Sequence, residues 1–300
     1  MRKVVSAAHD HAESVLLLVH YRDDVFATAN VLPDLISTLT STDDYDSYSV
    51  SLSIETIDRL LQKEAPRHAL FLSAALCHAL TPVLLSTTVP TTRRQTVKTI
   101  SKFSADPTGR KSLLYPIDYD RSDNISQTIK ALVKMLMDEE ETVVKWALTA
   151  LHNLLTYNKA DVAGLIRTHG GVANMSSLMN PVHSQTWGDR FYAMLCSCLE
   201  MLCVFSIEGK SLVAHTTILK PLIGHIDNTR YQKLAYTSSR LLRTLSVYNG
   251  YKTDIIQPNV TTLMKGYSAS RHYKRPVQET LLLVCNKQYI TQRSARVKQF

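Results

Sequence analysis

Apolar residues recur at helical spacing along the chain, in segments separated by short polar stretches. The clearest segment runs from Thr142 to Met175, where a long amphipathic stretch, a short polar break and a second helical stretch follow one another. A related segment begins at Tyr231 and a looser one at Asp189. The pattern predicts a chain of helices joined by short loops.

Aligning the apolar cores of these segments places six residues in one column, at steps of roughly 40–50 residues. They are Arg59, Lys102, Asn153, Met201, Thr244 and Asn286. A helical unit at this spacing is typical of armadillo or HEAT repeats. Because one unit cannot bury its apolar face alone, neighbours must stack. We therefore expect an all-α fold without a sheet, a right-handed α-solenoid superhelix of about six repeats, the last one incomplete.

The repeat column divides the chain into three parts. We assign residues 1–30 to an N-terminal helix, 31–286 to the repeat array and 287–300 to a frayed basic end. Polar stretches predict loops over 118–126 and 181–189, and the pair Gly170-Gly171 predicts a sharp turn.

Positive charge is concentrated near the C-terminus. The net charge is +8, and residues 226–300 hold 13 lysines and arginines against 3 aspartates and glutamates. The asymmetry indicates an acidic partner, either an acidic peptide or nucleic acid, unless the surface is merely solvated. An unbroken apolar run of about 18 residues is missing, and the acidic residues near the N-terminus disfavour a signal peptide, so we expect no membrane insertion.

The sequence gives no indication of catalysis. It contains no GxSxG, phosphate-binding loop, HExxH or paired-carboxylate motif. The five cysteines, Cys77, Cys196, Cys198, Cys203 and Cys285, stand in apolar contexts without a CxxC spacing, which is typical of buried free thiols. We expect a non-enzymatic protein without a metal or cofactor.

The chain resembles the β-catenin family of armadillo-repeat catenins in four stretches, which match in order and spacing: SVLLLVHYRDDVFATANVLPDL, LQKEAPRHAL, TALHNLL with the later GG, and YQKLAYTSSRLLRTLSV. The resemblance implies armadillo repeats and a scaffold for cell adhesion, Wnt signalling and transcription co-activation. It also implies binding of cadherin cytoplasmic tails and TCF/LEF-type transcription factors in a basic groove, binding of α-catenin near the N-terminus, and residence in cytoplasm, cell junction and nucleus. No direct binding to DNA is expected.

The resemblance also implies roles for particular residues. The residue matching Lys233 forms an ion pair with an acidic residue of the bound peptide, and the one matching Tyr21 lies in the α-catenin-binding region, where it can be phosphorylated. An acidic surface of the first repeat that binds a co-activator helix corresponds to Asp24, Asp34 and Leu35.

Helical geometry independently groups candidate ligand-binding residues. Lys233, Thr237 and Arg240 share one helix face, because side chains three or four residues apart are neighbours. The same face of other repeats supplies Arg190, Asn153 and Asn286. Cations that pair with acidic side chains and amides that bond to a peptide backbone suit an extended acidic peptide.

Three departures from the family and two alternatives accompany this interpretation. The family has about twice as many repeats, and the counterpart of its second groove lysine and its N-terminal DSGxxS signal are missing, which implies a truncated or divergent member. A nucleic-acid-binding solenoid is the first alternative. The second is a nuclear-import solenoid, which needs a repeated Trp-x-x-x-Asn pattern, whereas Trp146 is followed by Ala150.

Overall fold

The computed structural model describes residues 31–40, 45–114, 121–180, 187–205, 207–214, 218–226 and 231–246. All regular structure in these ranges is helical. The chain separates into two compact units, Met1–Tyr157 and Asn158–Phe300.

The described part of the first unit contains two three-helix repeats, preceded by two helices of another repeat. The first repeat supplies α1 (Val31–Thr40) and α2 (Tyr48–Leu60). The second consists of α3 (Glu64–Leu72), α4 (Ala74–Ser86) and α5 (Pro90–Ala105). The third consists of α6 (Pro107–Leu114), α7 (Arg121–Met135) and α8 (Glu141–Tyr157).

Equivalent helices of successive repeats stack on one another in this unit. The third helices form the row α2, α5 and α8, the second helices form the row α1, α4 and α7, and α3 packs on α6. Apolar side chains fill the layers between them. Val97, Ile100 and Phe103 of α5 and Leu151 and Leu154 of α8 are completely buried. The first unit therefore has the stacked core that the repeat column predicts.

The described part of the second unit contains two repeats of the same kind. One consists of α9 (Lys159–Thr168), α10 (Gly171–Ser177) and α11 (Asp189–Val204), and the next of α12 (Ile207–Ala214), α13 (Leu219–Ile226) and α14 (Gln232–Ser246). The third helices α11 and α14 pack closely against each other. Leu195, Leu199 and Leu202 on α11 and Leu241 and Leu245 on α14 are buried.

Two glycines are required by the backbone where helices turn. Gly170, between α9 and α10, has a φ of 76°, a left-handed conformation that glycine adopts without steric cost, as the Gly-Gly pair predicted. Gly109, in the first turn of α6, lies so close to α5 that an added Cβ would be 2.4 Å from the carbonyl oxygen of Phe103. The Asp106 carboxylate accepts hydrogen bonds from the backbone N–H groups of Thr108 and Gly109, which ties α6 to the end of α5.

The structure differs from the sequence-based expectations in one loop. The stretch 118–126 is not a loop throughout, because α7 begins at Arg121. Its polar residues Ser122, Asp123 and Asn124 occupy the first helical turn, where such residues are favourable. The predicted segments 1–30 and 287–300 lie outside the described residues.

Among the described residues, no single helix is long and apolar enough to cross a membrane; by length and composition, only the bent pair Pro66–Leu72 and Ala74–Ser86 together would reach that size.

Substituting Gly109 should destabilise the first unit. Gly109→Ala places a methyl group against the Phe103 carbonyl, so the two helices must shift, and we expect a loss of about 1–3 kcal/mol in the free energy of unfolding. Gly164→Ala is the matched control, because its Cβ would meet nothing within 4 Å inside α9. It should be neutral or stabilise by about 0.5–1 kcal/mol. Urea denaturation of both variants measures the difference, and equal effects would contradict the close approach.

Candidate peptide-binding face

The third helices of the second unit present exposed cations beside a buried apolar side. On α14, Leu234, Leu241 and Leu245 are buried, whereas Lys233 is exposed one residue into the helix. Arg190 is exposed at the second residue of α11, the helix on which α14 packs. Two of the predicted cations are therefore open to solvent on neighbouring helices.

Arg240 is exposed but already engaged by a carboxylate of the preceding repeat. Its Nε lies 2.9 Å and its Nη2 2.8 Å from Oε1 of Glu200 on α11. Its guanidinium also lies 5.6 Å from the centre of the Tyr236 ring. Arg240 thus links two repeats, and a ligand carboxylate would have to share it with Glu200.

Glu200 is an unusual residue for the interface between repeats. It is only 7% exposed. Burial raises the pKa of its carboxyl, because the charged form loses solvation, while Arg240 and the more distant Arg243 oppose this shift. Arg240 therefore stabilises the ionised form of a carboxylate that is otherwise unfavourable in this position.

Thr237 and Asn153 have partners within the protein. Thr237 is buried, and its hydroxyl donates to the backbone carbonyls of Lys233 and Leu234, at 3.0 and 3.1 Å. In the first unit, the half-buried Asn153 on α8 donates from Nδ2 to Oγ of Ser104 on α5, at 3.1 Å. Of the two residues, Asn153 is the less buried.

A charged link between repeats occurs at the same place in both units, and the sequence analysis did not find it. In the first unit, the carboxylate of Asp58 accepts a hydrogen bond from Nζ of Lys98, at 3.0 Å. Asp58 stands one position before Arg59 of the repeat column, and Lys98 stands four positions before Lys102 of the same column. Glu200 and Arg240 have the same two positions and also lie 40 residues apart. The sequence pattern that marks this link is an acidic residue one position before a residue of the repeat column, followed in the next repeat by a cation four positions before the column residue.

Other candidate residues lie elsewhere or are not described. On α1, Leu35 is 4% exposed and belongs to the core, whereas Asp34 is exposed. Tyr21, Asp24 and Asn286 lie outside the described residues. The structure therefore places Asp34 on the surface of the first repeat and gives Leu35 a packing role.

The described cysteines are buried thiols. Cys77, Cys196, Cys198 and Cys203 are free and buried, as the apolar contexts predicted. Burial raises the pKa of Cys196 and Cys203 to about 12, since an apolar environment disfavours the thiolate. Within the described ranges, no group of three or more His, Cys, Asp or Glu side chains could hold a metal ion.

Comparison with known proteins finds relatives of this chain by sequence. No protein-family model matches the chain. Junction plakoglobin of Xenopus laevis is 27% identical over 257 residues, covering 86% of this chain and 32% of that protein. Human junction plakoglobin and catenin beta of Urechis caupo are each 29% identical over 244 residues, or 81% of this chain. The chain is related to the armadillo-repeat catenins. It spans about a third of the length of these catenin relatives.

Solved structures agree on the fold of this catenin-related chain. A designed armadillo-repeat protein superposes with a TM-score of 0.63 at 14% identity, covering 84% of this chain and 99% of that protein. A β-catenin structure, from work on a phosphorylation switch in the interaction between cadherin and β-catenin, gives a TM-score of 0.65 at 18% identity and covers 83% of this chain and 43% of that one. The chain has the all-α solenoid fold of armadillo repeats.

The link between Glu200 and Arg240 predicts a pH-dependent loss of stability. Arg240→Gln leaves a buried carboxylate without its main counter-charge, so we expect about 1–3 kcal/mol of destabilisation at neutral pH. Because the folded-state pKa of Glu200 is raised, its protonated form is favoured in the fold, and the stability it contributes falls as pH rises through that pKa. The loss should therefore shrink near about pH 4, where the carboxyl is protonated and needs no arginine.

Denaturation of wild type and Arg240→Gln at matched pH values measures this effect. Lys233→Gln is the control, because it removes the same charge from an exposed position of the same helix. A loss of the same size at both pH values, or an equal loss in Lys233→Gln, would contradict the role assigned to the pair.

Proposed function

We propose that this chain is a non-enzymatic armadillo scaffold that binds an acidic, extended peptide, of the type found in cadherin cytoplasmic tails, across the third helices of its repeats. The observation that carries the proposal is the exposure of Lys233 and Arg190 on two packed third helices of a catenin-related fold. Exposed cations attract acidic side chains and select against basic ones, which gives specificity and a fast encounter.

The charge arrangement of the second unit sets limits on how such a peptide binds. Lys233 offers an exposed ammonium, whereas Arg240 is shared with Glu200. One exposed ion pair contributes only about 0–1 kcal/mol, so affinity has to come from many contacts along the array. The peptide therefore uses Lys233 and Arg190 as its first charged contacts, and Arg240 supports the surface between them by fixing α14 on α11.

The relatives favour a place in cell adhesion. They are junction plakoglobin and catenin beta, and one structural neighbour comes from work on the interaction between cadherin and β-catenin. By this relationship we propose that the chain acts at cell junctions and in the cytoplasm. We extend the proposal to TCF/LEF-type transcription factors, to Wnt signalling and co-activation in the nucleus, and to α-catenin at the N-terminal segment.

Charge reversal at Lys233 tests the peptide-binding face. We expect Lys233→Glu to weaken binding of an acidic cadherin-tail peptide about tenfold or more, because the variant replaces attraction by repulsion. Lys159→Glu is the matched control, since Lys159 is an exposed lysine of the same unit on a first helix and contacts the Phe205 ring. Its affinity should stay within about twofold of wild type.

Calorimetry at two salt concentrations completes this test. Affinity of the wild type should fall with salt, because exposed charges are screened over about 8–10 Å at physiological ionic strength. Equal losses in Lys233→Glu and Lys159→Glu, or binding that does not respond to salt, would count against the proposal.

A second substitution tests the proposed α-catenin contact. Tyr21 stands in a stretch whose apolar residues include Val15, Leu18 and Phe26. Tyr21→Glu introduces charge into an apolar contact and should weaken co-precipitation of α-catenin, whereas Tyr21→Phe should not. Unchanged recovery of α-catenin with Tyr21→Glu would exclude this contact.

A further inference from the structure

Two lysines of α5 meet a single carboxylate of α2 in the first unit. Nζ of Lys98 lies 3.0 Å from Oδ2 of Asp58, and Nζ of Lys102 contacts the other oxygen, Oδ1. Burial alone would raise the pKa of Asp58, but the hydrogen bonds and charges of Lys102 and Lys98 outweigh it and lower the pKa. The carboxylate is therefore ionised, and the cluster of Asp58, Lys98 and Lys102, which we call the lysine cluster, has one positive charge in excess.

The equivalent position in the second unit differs in this respect. There, the Glu200 carboxylate forms its ion pair with the single side chain of Arg240. This ion pair has one negative and one positive group, and Arg243 acts on Glu200 only from farther away. A single direct ion pair joins the two repeats there, whereas two lysines contact Asp58 at the equivalent interface of the first unit.

Both lysines are held in place but remain accessible. Their side chains are 36% and 28% exposed, so both remain partly open to solvent while Asp58 holds their ammonium groups. An ammonium group has more N–H donors than one carboxylate oxygen uses. A lysine that is already fixed loses less side-chain freedom when it binds a further group, which strengthens binding.

The neighbouring helix offers an amide for the backbone of a ligand. α8 packs on α5, as α2 does, and Asn153 on α8 is anchored to Ser104 by one N–H. Packed helices lie about 8–10 Å apart, which is about three residues of an extended chain at roughly 3.3 Å each. A peptide that crosses from α5 to α8 therefore passes from the lysines to Asn153 within a few residues.

We propose that Lys98 and Lys102 bind an aspartate or glutamate side chain of an extended peptide whose backbone continues over Asn153. The site lies wholly in the first unit and is separate from Lys233 and Arg190. It rests on the proposed function in one respect, that the third helices of this chain bind acidic peptides. The bound carboxylate would neutralise the excess charge and complete a cluster of two lysines and two carboxylates.

The other cations of the third helices α2, α5 and α8 favour a peptide over nucleic acid. They form ion pairs with carboxylates of the protein: Arg59 with Glu55, Arg93 with Asp138, Arg94 with Glu140 and Lys145 with Glu141. A phosphate backbone is recognised by several cations in a row. One localised excess charge matches a single acidic side chain instead.

Single substitutions in the full chain test this site. The probe is a fluorescein-labelled peptide of about a dozen alternating glutamate and serine residues, long enough to cross the row of third helices. Lys98→Gln and Lys102→Gln each leave the other lysine paired with Asp58, so the interface keeps one ion pair, as at Glu200. We expect each variant to bind the probe about fivefold more weakly than wild type.

Arg94→Gln provides the matched control for long-range charge. It removes one cation from the same helix, but that cation is paired with Glu140. Its affinity for the probe should stay within about twofold of wild type. Thermal denaturation followed by circular dichroism checks that all three variants are folded, and a photo-crosslinking benzophenone residue in the probe should label α5 or α8 in wild type.

Each outcome of the experiment decides the proposal. Wild-type affinity in both lysine variants, an equal loss in Arg94→Gln, no crosslink to α5 or α8, or tighter binding of an oligonucleotide of similar length would overturn it. If Lys233→Glu alone weakens binding of the probe, the proposed function stands and this site fails. If Lys98→Gln and Lys102→Gln weaken it and Lys233→Glu does not, this site stands and the Lys233 face fails. A wild-type chain that does not bind the probe overturns both.

Discussion

A helical repeat of this chain is too small to bury its own apolar face, and the stacking of equivalent helices follows from that constraint. In the first unit the third helices α2, α5 and α8 form one row, with Ile100 and Phe103 completely buried inside it. The polar contacts between repeats also join residues about one repeat apart in the sequence. Asp58 and Glu200 each bind a cation 40 residues later, and Asn153 binds Ser104, which lies 49 residues before it. Apolar burial brings the repeats together, and these links specify how they fit.

The periodic features of the fold could be predicted from the sequence, and the partners of single side chains could not. The repeat column anticipated the third helices and the Gly-Gly pair anticipated the turn at Gly170, because both depend on local patterns. The loop expected over 118–126 was wrong from Arg121 onward, since polar residues suit a first helical turn as well as a loop. Helical periodicity placed Thr237 beside Lys233, but it could not tell that the hydroxyl bonds to its own helix.

The same limit applies to charge. Arg240 has the sequence context of a ligand-binding cation, yet its guanidinium contacts Glu200 on the preceding repeat. A count of lysines and arginines along a solenoid therefore overestimates the charge available to a partner, because the repeat before each cation can supply a carboxylate. The charge available to a partner is the local excess of cations over carboxylates. Among the ion pairs described, the lysine cluster at Asp58 has such an excess, of one positive charge.

The buried cysteines have a practical consequence for studying how the repeats open. Cys77 lies in the first unit, and Cys196, Cys198 and Cys203 lie on α11 in the second. A thiol in the folded core is shielded from alkylating reagents, and its high pKa leaves little reactive thiolate. Pulsed alkylation followed by mass spectrometry would then time the opening of each unit separately, with natural side chains as the reporters.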